Sequence, residues 1–206
     1  MTETKTAARP RTRPYHKGNV AEDLKKTAER LLRTERFEDI SARRLCREVG
    51  VAYANFYNHF PSFDYLMLDI AADGFAARIA MNGAYIAKAK SRHELLHDIA
   101  AGTVEFAVAN PQLFRIMFGQ IEGSGINARF EELSETALRV LARAVGGKAM
   151  SGPSLSFFAF TQGLARIVTQ TLVETDMTTP AARQRFVREV MTSYLAGVPD
   201  GPLENA

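Results

Sequence analysis

The chain has 206 residues, of which 46% are hydrophobic and 24% are charged, and its formal net charge is +3. This length and apolar content suffice to bury the core of one or two domains, and no run of 18 or more apolar residues predicts a transmembrane helix. The single cysteine, Cys46, excludes a disulfide within the chain. The polar N-terminus predicts no secretory signal, so we expect a cytoplasmic protein.

A basic segment, residues 1–18, opens the chain. Residues 1–60 contain 13 lysines and arginines against 8 acidic residues, whereas residues 61–206 contain 13 against 15. The segment's prolines, Pro10 and Pro14, are interleaved with Arg9, Arg11, Arg13 and Lys17. Its prolines favour an extended arm that can lie along a DNA minor groove. The alternative is a terminus that only aids solubility.

Helical signals follow the arm, and no stretch alternates polar and apolar residues as a β-strand does. Asn19 is a typical N-cap with Glu22 three residues later, so the first helix should begin at residue 20. After a helical hairpin in residues 40–60, six further helices should begin near Ser62, Ser91, Asn110, Asn127, Pro153 and Thr179. We therefore predict an all-α chain of nine helices, three in the N-terminal part and six after it.

Residues 40–60, ISARRLCREVGVAYANFYNHF, carry the most informative pattern. Ser41 is a helix N-cap, and Gly50 stands where that helix must end because glycine adopts φ > 0 without steric cost. Phe56 and Phe60 would bury one face of a second helix. Two short helices joined by a tight turn are typical of a helix-turn-helix, whose second helix enters the DNA major groove. An αα-hairpin that only packs would have the same spacing.

This N-terminal region resembles the TetR family of bacterial transcriptional regulators. The family's Gly-Val turn is found as Gly50-Val51, and its aromatic-x-His-Phe ending is found as Tyr57-Asn58-His59-Phe60, followed by Pro61-Ser62. The segment NPQLFRIMF at residues 110–118 is similar to a TetR subgroup whose C-terminal domain carries a Trp-His-Gly signature. Two of the three signature residues are changed here. The residues at these positions are Phe158, Gln162 and Gly163.

The resemblance implies a ligand-responsive repressor that a small-molecule effector releases from its operator. Residues 1–18 would form the arm, residues 19–64 the DNA-binding domain, and residues 65–206 a helical ligand-binding and dimerisation domain. The implied partners are double-stranded operator DNA, a second copy of the chain and a largely apolar effector, with no cofactor and no membrane. Helices 154–174 and 179–196 would pair, with recognition helices on the order of 34–36 Å apart.

The candidate DNA contacts lie in the two helices of the hairpin. They are Arg43, Ala52, Tyr53, Asn55, Tyr57 and His59. Asn55 can pair with adenine, and Arg43 can meet a guanine or a phosphate. Ala52 and Tyr53 can touch thymine methyl groups. The resemblance implies phosphate contacts for Tyr57 and His59. Many family members also have a lysine after the Pro-Ser pair, and Phe63 replaces it here.

An aromatic and methionine-rich set in the C-terminal part forms core, and some of it should line the effector pocket. The candidate ligand contacts are Phe106, Met117, Phe118, Phe158, Gln162 and Arg166. Gln162, Arg166 and Thr169 are polar on an otherwise apolar helix. They face either a ligand or one another across the dimer, since buried polar groups need partners.

One motif indicates another class of protein. His93-Glu94-Leu95-Leu96-His97 matches H-E-x-x-H, in which two histidines bind zinc and the glutamate activates a water molecule. However, Ser91 makes Glu94 a capping-box residue, and Ala100 stands where the metzincin glycine belongs. The alternatives to a regulator are therefore a zinc-dependent hydrolase and a helical adaptor protein. We expect no enzyme and no metal site.

Overall fold

The computed structural model describes residues 19–121, 125–170 and 177–200, which form helices and turns without a strand. The helices in these ranges are α1 (Val20–Leu32), α2 (Ala42–Val49), α3 (Tyr53–Tyr57), α4 (Phe63–Lys88), α5 (Arg92–Ala109), α6 (Pro111–Arg115), α7 (Ala128–Ala144), α8 (Gly152–Thr169) and α9 (Pro180–Leu195). The prediction of an all-α fold with three helices followed by six is confirmed. The basic arm, and the end of the helix predicted to reach residue 174, lie outside the described residues. None of the described helices has the length and apolarity needed to cross a membrane.

Polar caps start the helices where the sequence predicts. The Ser62 hydroxyl accepts a hydrogen bond of 3.0 Å from the backbone N–H of Tyr65 at the start of α4. At the start of α5, the Ser91 hydroxyl accepts from the backbone N–H of Glu94. The Glu94 carboxylate in turn accepts from the backbone N–H of Lys90 at 2.7 Å. These bonds satisfy amide groups that lack a partner within the helix.

Two apolar cores hold the helices together. The first is built by α1, α2, α3, the N-terminal half of α4 and the turn after α6. Its fully or nearly fully buried side chains include Leu24, Leu45, Phe56, Leu66 and Met117. The second is built by α5, α7, α8 and α9 around Leu95, Ile99, Phe157, Leu164 and Met191. The first core crosses residue 64, so α4 packs with both the hairpin and the C-terminal helices.

Ion pairs also join α4 to its neighbours. Lys25 of α1 contacts the carboxylates of Asp69 and Asp73 on α4, with 2.6 Å between its Nζ and the Asp73 carboxylate. Arg129 of α7 contacts the same two carboxylates from the other side, at 3.0 Å from Asp69. The 26-residue helix is therefore connected to both parts of the molecule at one point along its length.

Candidate DNA-binding surface and C-terminal pocket

The α2–α3 hairpin has the local structure of a helix-turn-helix. The Ser41 hydroxyl accepts a hydrogen bond from the backbone N–H of Arg44, and Gly50 ends α2 with a φ of 82°. A Cβ atom at Gly50 would meet no atom within 4 Å, so glycine is required for its backbone conformation rather than for space. Phe56 and Phe60 are buried against the first core. Their burial turns the opposite face of α3 outward.

Three of the six predicted DNA contacts form a continuous exposed row. The guanidinium carbon of Arg43 lies 5.3 Å from the centre of the Tyr53 ring. The hydroxyls of Tyr53 and Tyr57 are 2.6 Å apart, and these side chains are 42% and 50% exposed. Of the other three residues, Ala52 and His59 are exposed, and Asn55 is half-buried. Tyr53, the centre of the row, is thus free to contact a partner surface.

Of the three arginines of α2, one is held by carboxylates of the protein and two are exposed and could contact DNA. Arg44 makes two hydrogen bonds to the Glu35 carboxylate, at 2.5 and 2.7 Å, and one to Glu48 at 3.3 Å. Arg43 and Arg47 are exposed, and neither makes an ion pair with any described residue. Arg47 was not among the sequence-predicted contacts, although its i,i+4 spacing from Arg43 places both on one helix face.

Phe63, which follows the Pro61-Ser62 pair, packs against the first core. Its ring centre lies 6.0 Å from that of Phe37, and the two rings are stacked. At this end of α4, Ser62 already caps the backbone N–H of Tyr65. A phosphate near this position would therefore meet backbone N–H groups and no basic side chain at residue 63, while the exposed carboxylate of Asp64 lies in the same turn.

Four of the six predicted ligand contacts lie in or beside one aromatic cluster. The ring of Phe118 lies 5.4 Å from Phe75 and 5.9 Å from Phe158, measured between centres. Met117 is buried in the same core, and Phe106 packs against it. The remaining two lie on α8: Gln162 is half-buried, whereas Arg166 is exposed and donates a hydrogen bond to Gln170. Arg166 is therefore on the outside of α8 and away from the cluster.

A cleft of about 270 Å³ lies where α1 meets α4, α5 and α6. Its apolar lining includes Leu32, Phe106 and Leu113, and its charged lining includes Arg33 and Asp73. Phe106 is the predicted ligand contact that belongs to this lining. Because the walls come from α1 in the N-terminal part and from α4, α5 and α6, an occupant would contact both parts of the molecule.

The H-E-x-x-H motif forms the first turns of α5. His93 Nε2 lies 2.7 Å from the backbone carbonyl oxygen of Val198, and Glu94 caps the helix through the N–H of Lys90. His97 Nδ1 lies 3.6 Å from the carboxylate of Asp98. Within the described ranges, no group of three or more His, Cys, Asp or Glu side chains is arranged to hold a metal ion.

Comparison with known proteins identifies the fold. No protein-family model and no curated protein matches the sequence. Among solved structures, a Rhodococcus sp. RHA1 protein of unknown function has a TM-score of 0.72 at 24% identity, over 91% of this chain and 99% of its own. A TetR transcriptional regulator from Rhodococcus sp. RHA1 has a TM-score of 0.58 at 12% identity, over 87% and 97%. The Bacillus subtilis regulator FadR in complex with stearoyl-CoA has a TM-score of 0.63 at 12% identity, over 86% of this chain and 99% of its own. The chain therefore has the fold of TetR regulators, an N-terminal helix-turn-helix followed by a C-terminal helical domain.

Proposed function

We propose that this protein is a TetR-type transcriptional repressor, which binds operator DNA as a homodimer and leaves it when a small molecule binds its C-terminal helices. The observation that carries this proposal is the exposed row of Arg43, Tyr53 and Tyr57 on a hairpin whose inner face is buried. The fold shared with solved regulators supports it. The protein would act in the bacterial cytoplasm, where operator DNA is found.

The DNA contacts would divide between base edges and phosphates. Asn55 can pair with adenine, and Arg43, stacked over Tyr53, presents its guanidinium to a guanine. Tyr57 and His59 would contact phosphates, which fix the position of the protein on the duplex but carry no sequence information. Arg47, one turn after Arg43, adds a second available positive charge on the same face of α2.

Dimerisation would use the outer face of α8, with α9 beside it. Ser156, Ala159 and Gly163 are exposed along this face, and a Cβ atom at Gly163 would meet nothing within 4 Å. Leu155 on the same helix is 39% exposed and adds a large apolar side chain to the exposed part of α8. Small residues permit a second helix to approach closely, and Arg166 at the edge of this face would then find partners across the two-fold axis.

The proposed units follow the sequence-based boundaries. Residues 19–64 would form the DNA-binding unit, residues 65–206 the effector and dimerisation unit, and residues 1–18 a basic arm. The segment 110–118 supports a likeness to the TetR subgroup with a Trp-His-Gly signature, although Phe158 and Gln162 replace its first two residues.

Effector binding would act through α4. The cleft between α1, α4, α5 and α6 is partly apolar and adjoins the aromatic cluster, so it suits a small ligand with an apolar body. An occupant that shifts α4 also shifts α1, since Lys25 is paired with Asp69 and Asp73. The two recognition helices of a dimer would then no longer meet both half-sites, and operator affinity would fall.

The test is binding of the purified protein to a fragment of its own promoter. We expect a salt-dependent mobility shift that unrelated DNA of equal length does not give at the same protein concentration. The double variant Arg43→Ala/Asn55→Ala should lose this preference, whereas Arg139→Ala, an exposed arginine of α7, should keep it. Equal binding to both DNAs by the unaltered protein would contradict the proposal. Metal analysis of the same preparation tests the zinc-hydrolase alternative.

A further inference from the structure

Arg78, in the middle of α4, is a buried arginine that pairs with no carboxylate among the described residues. The side chain is 7% exposed. Its Nη2 donates to the hydroxyl of Thr103 on α5 at 2.5 Å, but its Nη1 reaches no acceptor among the described residues. Burial lowers the pKa of Arg78 to about 10, and the nearby phenol of Tyr85 raises it in opposition. No described carboxylate contributes to its electrostatic surroundings.

A second unpartnered polar group lies one turn further along α4. Asn82 is 4% exposed, and its Oδ1 also has no hydrogen-bond partner among the described residues. Arg78, Asn82 and Tyr85 are spaced to share one face of the helix. This face packs on α5: a Cβ atom at Gly102 would lie 2.6 Å from the Tyr85 hydroxyl. The α4–α5 interface therefore encloses two polar side chains with unused hydrogen-bonding capacity.

The same chain buries another arginine in a different way. Arg183 of α9 is 6% exposed and binds both carboxylate oxygens of Glu105, at 2.8 and 2.7 Å. It also donates to the backbone carbonyls of Met177 and Thr178. This is the usual arrangement, since a buried charge is stable when it is paired and fully hydrogen-bonded. Arg78 lacks the carboxylate that Arg183 has.

We infer that Arg78 is the receptor for an anionic head group, a carboxylate or a phosphate monoester, on an effector with an apolar body. Neutral partners such as Thr103 can satisfy a donor, but they leave the positive charge uncompensated. A guanidinium matches the two oxygens of such an anion, and the Asn82 amide can turn to offer its NH₂ group to it. This inference rests on the proposed function, because it names the chemistry of the molecule that would release the DNA.

Phe106 connects this anion site with the apolar cleft. The guanidinium carbon of Arg78 lies 5.7 Å from the centre of the Phe106 ring. Phe106 also lines the cleft at the junction of α1, α4, α5 and α6. A ligand with its apolar body in that cleft would therefore direct its charged end past Phe106 toward Arg78. Since Asp69 and Asp73 lie on the same helix, movement of α4 around the anion would act directly on the contacts of Lys25.

The experiment compares thermal unfolding of the full chain without DNA, so its outcome is independent of operator binding. The variants are Arg78→Met and Arg78→Lys, with Arg183→Met as the matched control. Without added ligand, Arg78→Met should unfold at a higher temperature than the unaltered protein, because an unpaired buried charge is removed. Arg183→Met should unfold at a lower temperature, because Glu105 loses its partner.

The probes are decanoate, decyl phosphate and the uncharged decanol. We expect at least one of the two anions to raise the unfolding temperature of the unaltered protein, and decanol to have no such effect. The anion with the larger effect identifies the head group. Its affinity should fall roughly ten- to hundredfold in Arg78→Met. It should fall less in Arg78→Lys, which keeps the positive charge but not the planar guanidinium that donates two parallel hydrogen bonds.

Three results would overturn the inference. The first is an Arg78→Met variant that unfolds at a lower temperature or does not fold, since Arg78 would then be structural. The second is an unaltered protein that neither anion stabilises. The third is equal stabilisation of Arg78→Met and the unaltered protein by the anions. Failure of the regulator proposal would instead show as equal binding to promoter and unrelated DNA in the mobility-shift experiment, which contains none of these three compounds.

Discussion

Lys25 of α1 and Asp73 of α4 form an ion pair of 2.6 Å between the hairpin side of the molecule and its longest helix. Arg129 of α7 contacts the same carboxylate, so Asp73 lies between two cations. Burial raises the pKa of the Asp73 carboxyl, but hydrogen bonds and charges from Lys25 and Arg129 outweigh it. The pKa therefore lies below its ordinary value of 3.8. The ion pair and the first apolar core therefore both connect α1 to α4.

Replacing Lys25 by methionine should lower stability in a pH-dependent manner. A carboxyl whose pKa is depressed in the folded state stabilises it above the unfolded pKa, and this stabilisation is lost as the pH falls through the folded value. The free energy of unfolding of Lys25→Met should be lower by about 1 kcal/mol near neutral pH, since the pair is partly exposed. The difference should shrink as the pH falls below 3.8. Urea unfolding across a pH series measures it.

Lys26→Met is the control for this prediction. Lys26 lies next to Lys25 on α1, but it pairs with Glu22 of the same helix, and both side chains are at least half exposed. Because this pair is exposed to solvent, we expect the variant to differ much less from the unaltered protein than Lys25→Met does. A stability loss in Lys25→Met that persists undiminished in acid would show that the lysine acts through packing rather than through the carboxylates.

Two glycines of α4 should respond oppositely to alanine. A Cβ atom at Gly74 would lie 2.6 Å from Met117 Sδ and 3.4 Å from Leu113. Met117 is 3% exposed, so it has little room to move. Gly83 has no atom within 4 Å of its Cβ position. Chemical denaturation should show Gly83→Ala stabilised by up to about 1 kcal/mol and Gly74→Ala destabilised by roughly 1–2 kcal/mol. Similar values for both would mean that the turn after α6 does not pack tightly on α4.

Helix positions could be predicted from the sequence because their signals are local. Ser62 and Ser91 cap α4 and α5 through bonds within four residues, and Gly50 ends α2 by its own backbone conformation. The end of the helix that starts at Pro111 is a different case. It stops at Arg115 and continues as a π-helical turn, in which Gly119 has a φ of 117°. This turn packs against α4, and the sequence pattern of one helix does not report such a contact.

The candidate sites divide in the same way. Tyr53 and Tyr57 follow from the spacing of Phe56 and Phe60, because burial of one face of α3 exposes the other. Arg78 could not be identified from the sequence. Its significance lies in the lack of any described carboxylate paired with it, which the pattern of its own helix does not report. On α8, every face has apolar residues, so the sequence could not decide which face lies outward. The structure shows that Arg166 is on the outer face.

Arg43→Ala should relax sequence preference at one operator position. The guanidinium is exposed and stacked on Tyr53, where it can bind a guanine edge with two hydrogen bonds. Loss of these bonds should cost roughly 1–3 kcal/mol on the cognate operator and much less on an operator with that base pair changed. A titration over operator variants measures both. A uniform loss over all sequences would assign Arg43 to a phosphate, and base reading would then fall to Tyr53 and Asn55.

Ala159→Arg should prevent dimerisation. Ala159 lies between Ser156 and Gly163 on the outer face of α8, and a long charged side chain there would hold a second helix away. Sedimentation velocity should show a monomer for this variant and a dimer for the unaltered protein. Ala87→Arg, which places the same side chain on an exposed position of α4, should remain dimeric. A dimeric Ala159→Arg would place the interface on another surface.

Removal of residues 1–14 should weaken binding to all DNA sequences about equally. The deleted segment carries Arg9, Arg11 and Arg13, and it lies outside the described residues. Contacts of these arginines with phosphates or the minor groove release counterions, so each lost contact should lower the slope of log affinity against log salt by about one unit. Removal of residues 1–8, which spares all three arginines and removes Lys5 together with Glu3, is the control and should change the slope much less. Mobility shifts over a salt series measure both truncations. If the longer truncation keeps the affinity and the slope of the full chain, the arm does not contact DNA, and the hairpin with Arg43 and Arg47 supplies the phosphate contacts alone.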